Sequence, residues 1–322
     1  MGATMDAMLC TIQEVRPESK MSLIPAPIQH SPTAWLRQVG RLLLAAAALL
    51  TLGLSPSTAG ESSPTALQIQ GAKADQAALL ALLQEADVIL LGELHDNPHH
   101  HQARADLLRA LSSRSPHVVA EHLMAPQKMP AGTSETQLQR LTAAGFDPSG
   151  WRWPLHKPLF DATDELSWAV HGGNLTRAQL RSAGHPALLA LLEQAPLSTT
   201  AQALLDADLR DGHCGMLPEQ HLGQIRQIQR LRDASMALAA LKQLPAIVLL
   251  GNGHARLDYG VPQILKANRP DLKVVAVGFV EQPPNLSSPF DATWQSPSIE
   301  RPDPCQAFRG FSAPSKDAKS GM

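Results

Sequence analysis

The run Val88-Ile89-Leu90-Leu91-Gly92-Glu93-Leu94-His95-Asp96-Asn97-Pro98-His99-His100-His101 decides the fold, because an apolar stretch stops at a glycine and ionisable side chains follow at once. An apolar run of that length bounded by a turn reads as a buried strand. Asn97 before Pro98 reads as a helix N-cap with proline at the first helical position. Glu93 and His95 are therefore expected in a tight turn between a buried strand and a new helix. Open α/β sheets put their ligand sites at such turns.

Outward from this turn, Pro98 to about Leu111 forms an amphipathic helix with Ala103, Leu107, Leu108 and Leu111 at helical spacing. Pro116 opens a second strand, His117 to Leu123, which ends with Glu121 beside His122. Strand, helix and strand of this size form a βαβ unit. Residues from about 125 to 243 are mostly helical in pattern, broken at Asp147-Pro148, Gly172-Gly173 and Gly184-His185-Pro186. Ala246 to Gly251 is a third apolar strand, Val261 to Ala267 a short helix, and Val274 to Gly278 a last core strand. The expected fold is α/β: a central, mostly parallel sheet flanked by helices, with a large helical insertion (about 125–243) between the second and third recognised strands. The domain spans 77–281, after a linker over 60–76. A proline-rich, irregular tail follows over 282–322.

The N-terminal 59 residues read differently. Arg37 and Arg41 precede the apolar run Leu42 to Leu54, and small residues including Ser57-Thr58-Ala59 follow. This is the pattern of a secretory signal peptide, with an over-long start before Met21 and cleavage near Ala59 or Gly60. The run is short for a membrane span, although an uncleaved anchor stays open as the alternative. No cysteine sits just beyond it, so a soluble periplasmic protein is expected rather than a lipoprotein. After cleavage Cys214 and Cys305 are the remaining cysteines, in a compartment that permits disulfides, and they are expected to pair.

Composition narrows the function classes. The 322 residues are 44% hydrophobic and 17% charged, enough for a full core in one large domain or two small ones. Lys+Arg 27 against Asp+Glu 29 gives a formal charge of -2, with no basic run that would serve as a nucleic-acid footprint. Thirteen histidines against one tyrosine and six phenylalanines point instead to imidazole chemistry.

Three strands end in polar turns, carrying Glu93/His95, Glu121/His122 and His254/Arg256. In a parallel sheet these ends share one edge, so the three turns can build one pocket. Glu93 with His95 supplies a carboxylate and a group that titrates near neutrality, suited to binding a divalent cation or activating a water. Glu93 could instead only cap the following helix. Of the histidine run, His100 or His101 is favoured over His99 to face the pocket, with a solvated helix start as the alternative. Glu121, at the end of an apolar run, needs a partner such as His254, Arg256 or a metal. His122 points to the opposite face. His254 lies in a turn bracketed by Gly251 and Gly253, and Arg256 can hold a carboxylate bidentately, either Glu121 or one on a ligand. In Asp211-Gly212-His213-Cys214-Gly215, His213 could reach the pocket, but the bridge role of Cys214 is favoured.

Five segments in order resemble the ChaN-like family: Gly92-Glu93-x-His95-Asp96-Asn97-Pro98, Trp151-Arg152-Trp153-Pro154, Asp211-Gly212-His213-Cys214-Gly215, Arg232-Asp233-x-x-Met236-Ala237 and Gly251-x-Gly253-His254-x-Arg256-x-x-x-Gly260-Val261-Pro262. The resemblance runs from about Ala86 to Gly278. It implies haem binding and iron uptake, with kinship to the Tiki and erythromycin-esterase-like proteins, whose similar Glu/His sets serve hydrolysis. On that basis the iron ligand is sought among His95, His100, His101, His156, His254 and Tyr259, with Arg256 on the propionates. Tyr259 is the chain's one tyrosine and otherwise reads as a packed loop aromatic. His156 stands where the resemblance leads one to expect an aromatic residue. A homodimer that shares the burial of a flat haem is plausible on the same grounds. The alternative function is an ester or peptide hydrolase in which Glu93, Glu121 and His254 hold Mn, Co or Zn or position a water, and His95 is the general base.

Overall fold

The computed structural model describes residues 64–132, 135–182, 184–281, 288–303 and 305–306. The expected signal peptide over 1–59 lies outside the described residues. In chain order the first elements are β1 (Ala66–Ile69), β2 (Ala72–Lys73), α1 (Gln76–Gln84), β3 (Val88–Glu93), α2 (Pro98–Ala110), β4 (His117–Met124) and β5 (Lys128–Met129). Then come α3 (Gln137–Ala143), α4 (Lys157–Glu165), β6 (Val170–Asn174), α5 (Arg177–Arg181), α6 (Pro186–Glu193), α7 (Thr199–Gly212) and α8 (Glu219–Ala240). The last are β7 (Ala246–Gly251), α9 (Asn252–Ala255), α10 (Val261–Asn268), β8 (Val274–Val280) and β9 (Ala292–Gln295).

The strands form one sheet in the order β2-β1-β9-β8-β3-β7-β4-β6-β5. From β9 to β6 every pairing is parallel, and only the edge pairs β1·β2, β1·β9 and β5·β6 are antiparallel. Strand alternation divides the core between two faces. Ile89, Leu91, Val118, Ala120, Ile247 and Leu249 pack with α1, α2 and α4. Val88, Leu90, Val119, Val248 and Leu250 pack with α6, α8 and α10. The mostly parallel α/β reading therefore holds.

Three details depart from expectation. β7 inserts between β3 and β4, so the βαβ unit skips a strand. The crossover through α2 leaves β3 toward β4, while the crossover through α10 leaves β7 toward β8, in the opposite direction. β3 and β7 thus flank a switch point, where α/β sheets open a crevice. Second, the 125–243 segment is not wholly helical: Val170–Asn174 enters the sheet as β6. Its glycine pair, read as a break, is there for packing, because a Cβ on Gly172 would stand 2.2 Å from the Met124 carbonyl oxygen. Third, the linker and tail are not irregular throughout, since β1 pairs with β9, and Trp294 of β9 is buried against Phe279.

Cys214 and Cys305 are bonded, as the sequence suggested, and close a loop of 91 residues in sequence separation. A cross-link of this span constrains the unfolded chain, and bonds of this kind contribute about 2–4 kcal/mol. Cys214→Ser should therefore lower Tm by roughly 5–15 °C in thermal denaturation, given the usual entropy of unfolding for a domain of this size. An unchanged Tm would show that the bridge carries no stability.

Candidate functional site

Glu93 ends β3 pointing to the α2/α4 face, the same side as Leu91 and Ile89. It is wholly buried, which alone would raise its pKa, yet Arg104 and the surrounding imidazoles hold it well below the usual carboxylate range. Arg104 on α2, also wholly buried, makes a short ion pair with Glu93 Oε2. His101 Nδ1 lies 2.8 Å from the same oxygen, and His101 Nε2 is 3.0 Å from the His95 carbonyl. On the other oxygen, Oε1, converge His95 Nδ1 at 3.0 Å, His122 Nε2 at 3.4 Å and His156 Nε2 at 3.5 Å. Burial keeps His122 and His156 uncharged at neutrality, with the pKa of His156 down to about 3.

A second cluster occupies the α8 face. Glu121 accepts a hydrogen bond from the Gly251 N–H at 2.7 Å and faces His254 Nε2 at 3.4 Å. Asp233 on α8 sits 2.5 Å from His254 Nδ1, and Gln229 adds a 3.0 Å contact to that nitrogen. Burial would depress His254, but Glu121 and Asp233 on either side push it up to about 10. It is an imidazolium held between two carboxylates. Asp233 itself is raised by burial against the pull of His254, and Glu121 is lowered because His254 outweighs its burial.

His95 joins the two clusters across the sheet edge, with Nδ1 on Glu93 and Nε2 4.0 Å from Glu121. Its side chain is 46% exposed, whereas those of His101, His122 and His156 are at most 1%. Burial works to depress its pKa, but the Glu93 hydrogen bond and the Glu121 charge raise it on balance. Gly251 makes this bridge possible: a Cβ there would meet His95 Cε1 at 2.7 Å. Above it opens a cavity of about 560 Å³, lined among others by His95, Trp151, Arg152, Gln229, Asn252 and His254. Trp151 stands edge-on to His95 at 5.0 Å between ring centroids.

The expected strand ends therefore meet, but not every candidate joins them. His100 is buried away from the cavity, where its Nδ1 accepts from the Leu94 N–H at 3.0 Å, and burial lowers its pKa to about 4. Arg256 does not hold Glu121. It is engaged by Asp258 at 2.7 Å, by Asp208 at 3.5 Å and over the Tyr259 ring at 4.7 Å. Tyr259 is buried with its hydroxyl donating to Asp208, and both burial and that bond raise its pKa, so it does not offer a phenolate to the cavity. His213 is 2.7 Å from the Leu209 carbonyl, which its Nδ1–H can reach as donor, and it does not line the cavity. His122, set aside as pointing the other way, does point away from Glu121, and that is the Glu93 face.

Arg104 and Gln229 were missed, and Asp233 stood in the segment Arg232-Asp233-x-x-Met236-Ala237 with no role assigned to it. Arg104 had a signal: it shares a helical row with His101 and Leu108, and a cation on a buried face requires a counter-charge. For cations, Glu93, His101 and His156 offer ligand atoms within 4.8 Å of one another. The Arg104 Nη2 already sits against Glu93 and 3.0 Å from His101 Nδ1, supplying the positive charge there. Of the set Glu93, His95, Glu121 and His254, Glu93 is already paired with Arg104, and His254 lies between Glu121 and Asp233.

A family model described as haem-binding uptake, Tiki superfamily, ChaN matches residues 79–265. The chain belongs to this family. Among solved structures it is similar to one titled cofacial heme binding to ChaN of Campylobacter jejuni, at 20% identity, covering 71% of this chain and 95% of that one, with a TM-score of 0.56. A second, an erythromycin esterase mutant in its open conformation, is 16% identical over 73% of this chain and 81% of its own, with a TM-score of 0.37. No curated protein matches the sequence. The first likeness is one of fold. No helix among the described residues is long and apolar enough to cross a membrane; the apolar run Leu42 to Leu54 lies outside them.

Proposed function

We propose that the cavity binds haem with His95 as the iron ligand, and that the protein serves haem or iron uptake in the periplasm. The observation that carries this reading is the state of His95. Its Nδ1 donates to a buried carboxylate while the half-exposed ring lines the cavity with Nε2 4.0 Å from Glu121, an arrangement that orients the ring and raises the basicity of a metal-binding imidazole. Trp151 supplies an aromatic wall beside it. The Cys214–Cys305 bond and the signal-like N-terminus support an exported location. Haem bound through one face of a shallow site favours a homodimer that covers the other.

Titration of the protein with haemin should give a saturable, stoichiometric change in the Soret band. His95→Ala should weaken binding by at least tenfold, about 1.4 kcal/mol. Because a proton competes for Nε2, affinity should rise with pH as His95, whose pKa is raised, loses that proton. Unsaturable absorbance in the wild type would defeat the reading.

One observation favours a second reading, hydrolysis. Two imidazoles line one cavity, His95 hydrogen-bonded to Glu93 as a candidate base and His254 held as an acid between Glu121 and Asp233. Turnover of ester or peptide substrates, with or without added Mn, Co or Zn, and its loss in His95→Ala would support it.

A further inference from the structure

The charges lining the cavity are almost all matched. Glu93 is paired with Arg104, Asp96 with Arg301 at 2.8 and 3.1 Å, and His254 with Glu121 and Asp233. Arg152 is the exception. It lines the cavity and is exposed, and its guanidinium makes no hydrogen bond or ion pair with any described residue.

The backbone holds it there. Arg152 adopts φ 50°, a left-handed conformation unfavourable for a side chain of this size. The surrounding turn enforces it: the N–H groups of Trp151, Arg152 and Trp153 donate to the carbonyls of Asp147, Ser149 and Pro148 at 3.0, 3.1 and 2.8 Å. On one side of Arg152, Trp151 packs on His122 at 4.5 Å and faces His95. A planar ligand held at His95 and lying along Trp151 thus has a cation beside it on the same turn. Arg256, the residue the sequence suggested for this task, is already committed to Asp258 and Asp208.

We infer that Arg152 is the anchor for an anionic group of the cavity's ligand, a carboxylate that its guanidinium can grip bidentately. This rests on the haem reading, in which the carboxylates are the propionates. The test compares haemin with its dimethyl ester, which keeps the iron and the ring but removes both charges. Wild type should bind haemin at least tenfold more tightly than the ester. Arg152→Gln should lose that preference while the Soret position, set by the iron ligand, stays the same. Arg152→Lys should retain part of it. Arg152→Gly, in which the left-handed backbone is unstrained, should behave like Arg152→Gln, which separates charge from turn geometry.

A preference that survives in Arg152→Gln and Arg152→Gly, or that vanishes instead in Arg256→Gln, overturns the assignment and leaves haem binding standing. Failure of the wild type to bind haemin saturably overturns both. The two failures are distinct in the same titration.

Discussion

Glu93→Ala should be the most damaging single substitution in this chain. It removes the only carboxylate among the described residues that touches Arg104 and leaves that wholly buried guanidinium with the Leu91 carbonyl at 3.4 Å and the His101 ring. An uncompensated buried charge of this kind costs about 3–5 kcal/mol, a large part of the 5–15 kcal/mol by which a typical domain is stable. Tm should fall by roughly 6–20 °C, at 2–4 °C per kcal/mol for a domain of this size. Glu93→Ala/Arg104→Met, which removes both charges and keeps the volume on the arginine side, should recover much of the loss, because replacing a buried pair by apolar groups is often neutral. A Glu93→Ala protein within 1 kcal/mol of wild type in urea denaturation would mean that Arg104 finds another counter-charge. Glu93→Gln would keep the shape but not the charge, so it should also lower the pKa of His95 and weaken the orientation of its ring.

That single residue shows what the sequence could and could not tell. The apolar run into Gly92-Glu93-x-His95 and the Asn97-Pro98 cap are local signals, and the strand, turn and helix they indicate are present with Asn97 accepting from the His99 N–H. The meeting of three strand ends also followed from parallel pairing alone. Which faces the side chains take did not. Glu93 and Glu121 look alike in the sequence, each within two residues of a histidine at a strand end, yet they lie on opposite faces of the sheet. One is neutralised by an arginine one helix away, the other by a histidine that α8 locks with Asp233. Partners such as Arg104 and Asp233 are set by helix packing: the helical row of Arg104 with His101 and Leu108 shows that it is buried, but nothing in the spacing says which strand-end carboxylate it meets. β6 and β9 were hidden for a related reason. Val-His-Gly-Gly-Asn and Ala-Thr-Trp-Gln are too short to show alternation, and they become strands because a neighbouring strand supplies the hydrogen bonds.

Acid should unfold this protein unusually early, because its interior keeps histidines neutral. In the native state burial holds His100 at about 4 and His156 at about 3, whereas in the unfolded chain both titrate near 6.5. Below pH 6.5 the unfolded chain therefore takes up protons that the native state refuses. Each group then subtracts up to about 1.4 kcal/mol per pH unit, continuing down to its own folded pKa. His171, lowered to about 4 by burial beside His117, adds to the same limb. Asp233, raised by burial, acts in the opposite sense on the acid side but is one group against several. His254 governs the other limb. Its pKa of about 10 means that its stabilisation is complete below pH 6.5 and is lost as pH rises through 10. The depressed Glu93 and Glu121 contribute fully above the ordinary carboxylate range and lose their share only as pH falls below it. Stability should thus peak near pH 6.5, falling more steeply toward pH 4 than toward pH 9, as measured by urea midpoints across that range. His156→Phe, which removes one neutral imidazole and keeps an aromatic ring in its place, should flatten the acid limb by up to about 1.4 kcal/mol per pH unit while leaving the alkaline limb unchanged. An acid limb of equal slope in the variant would show that His156 is not held neutral by its burial, and that Glu93 shares its charge with that ring.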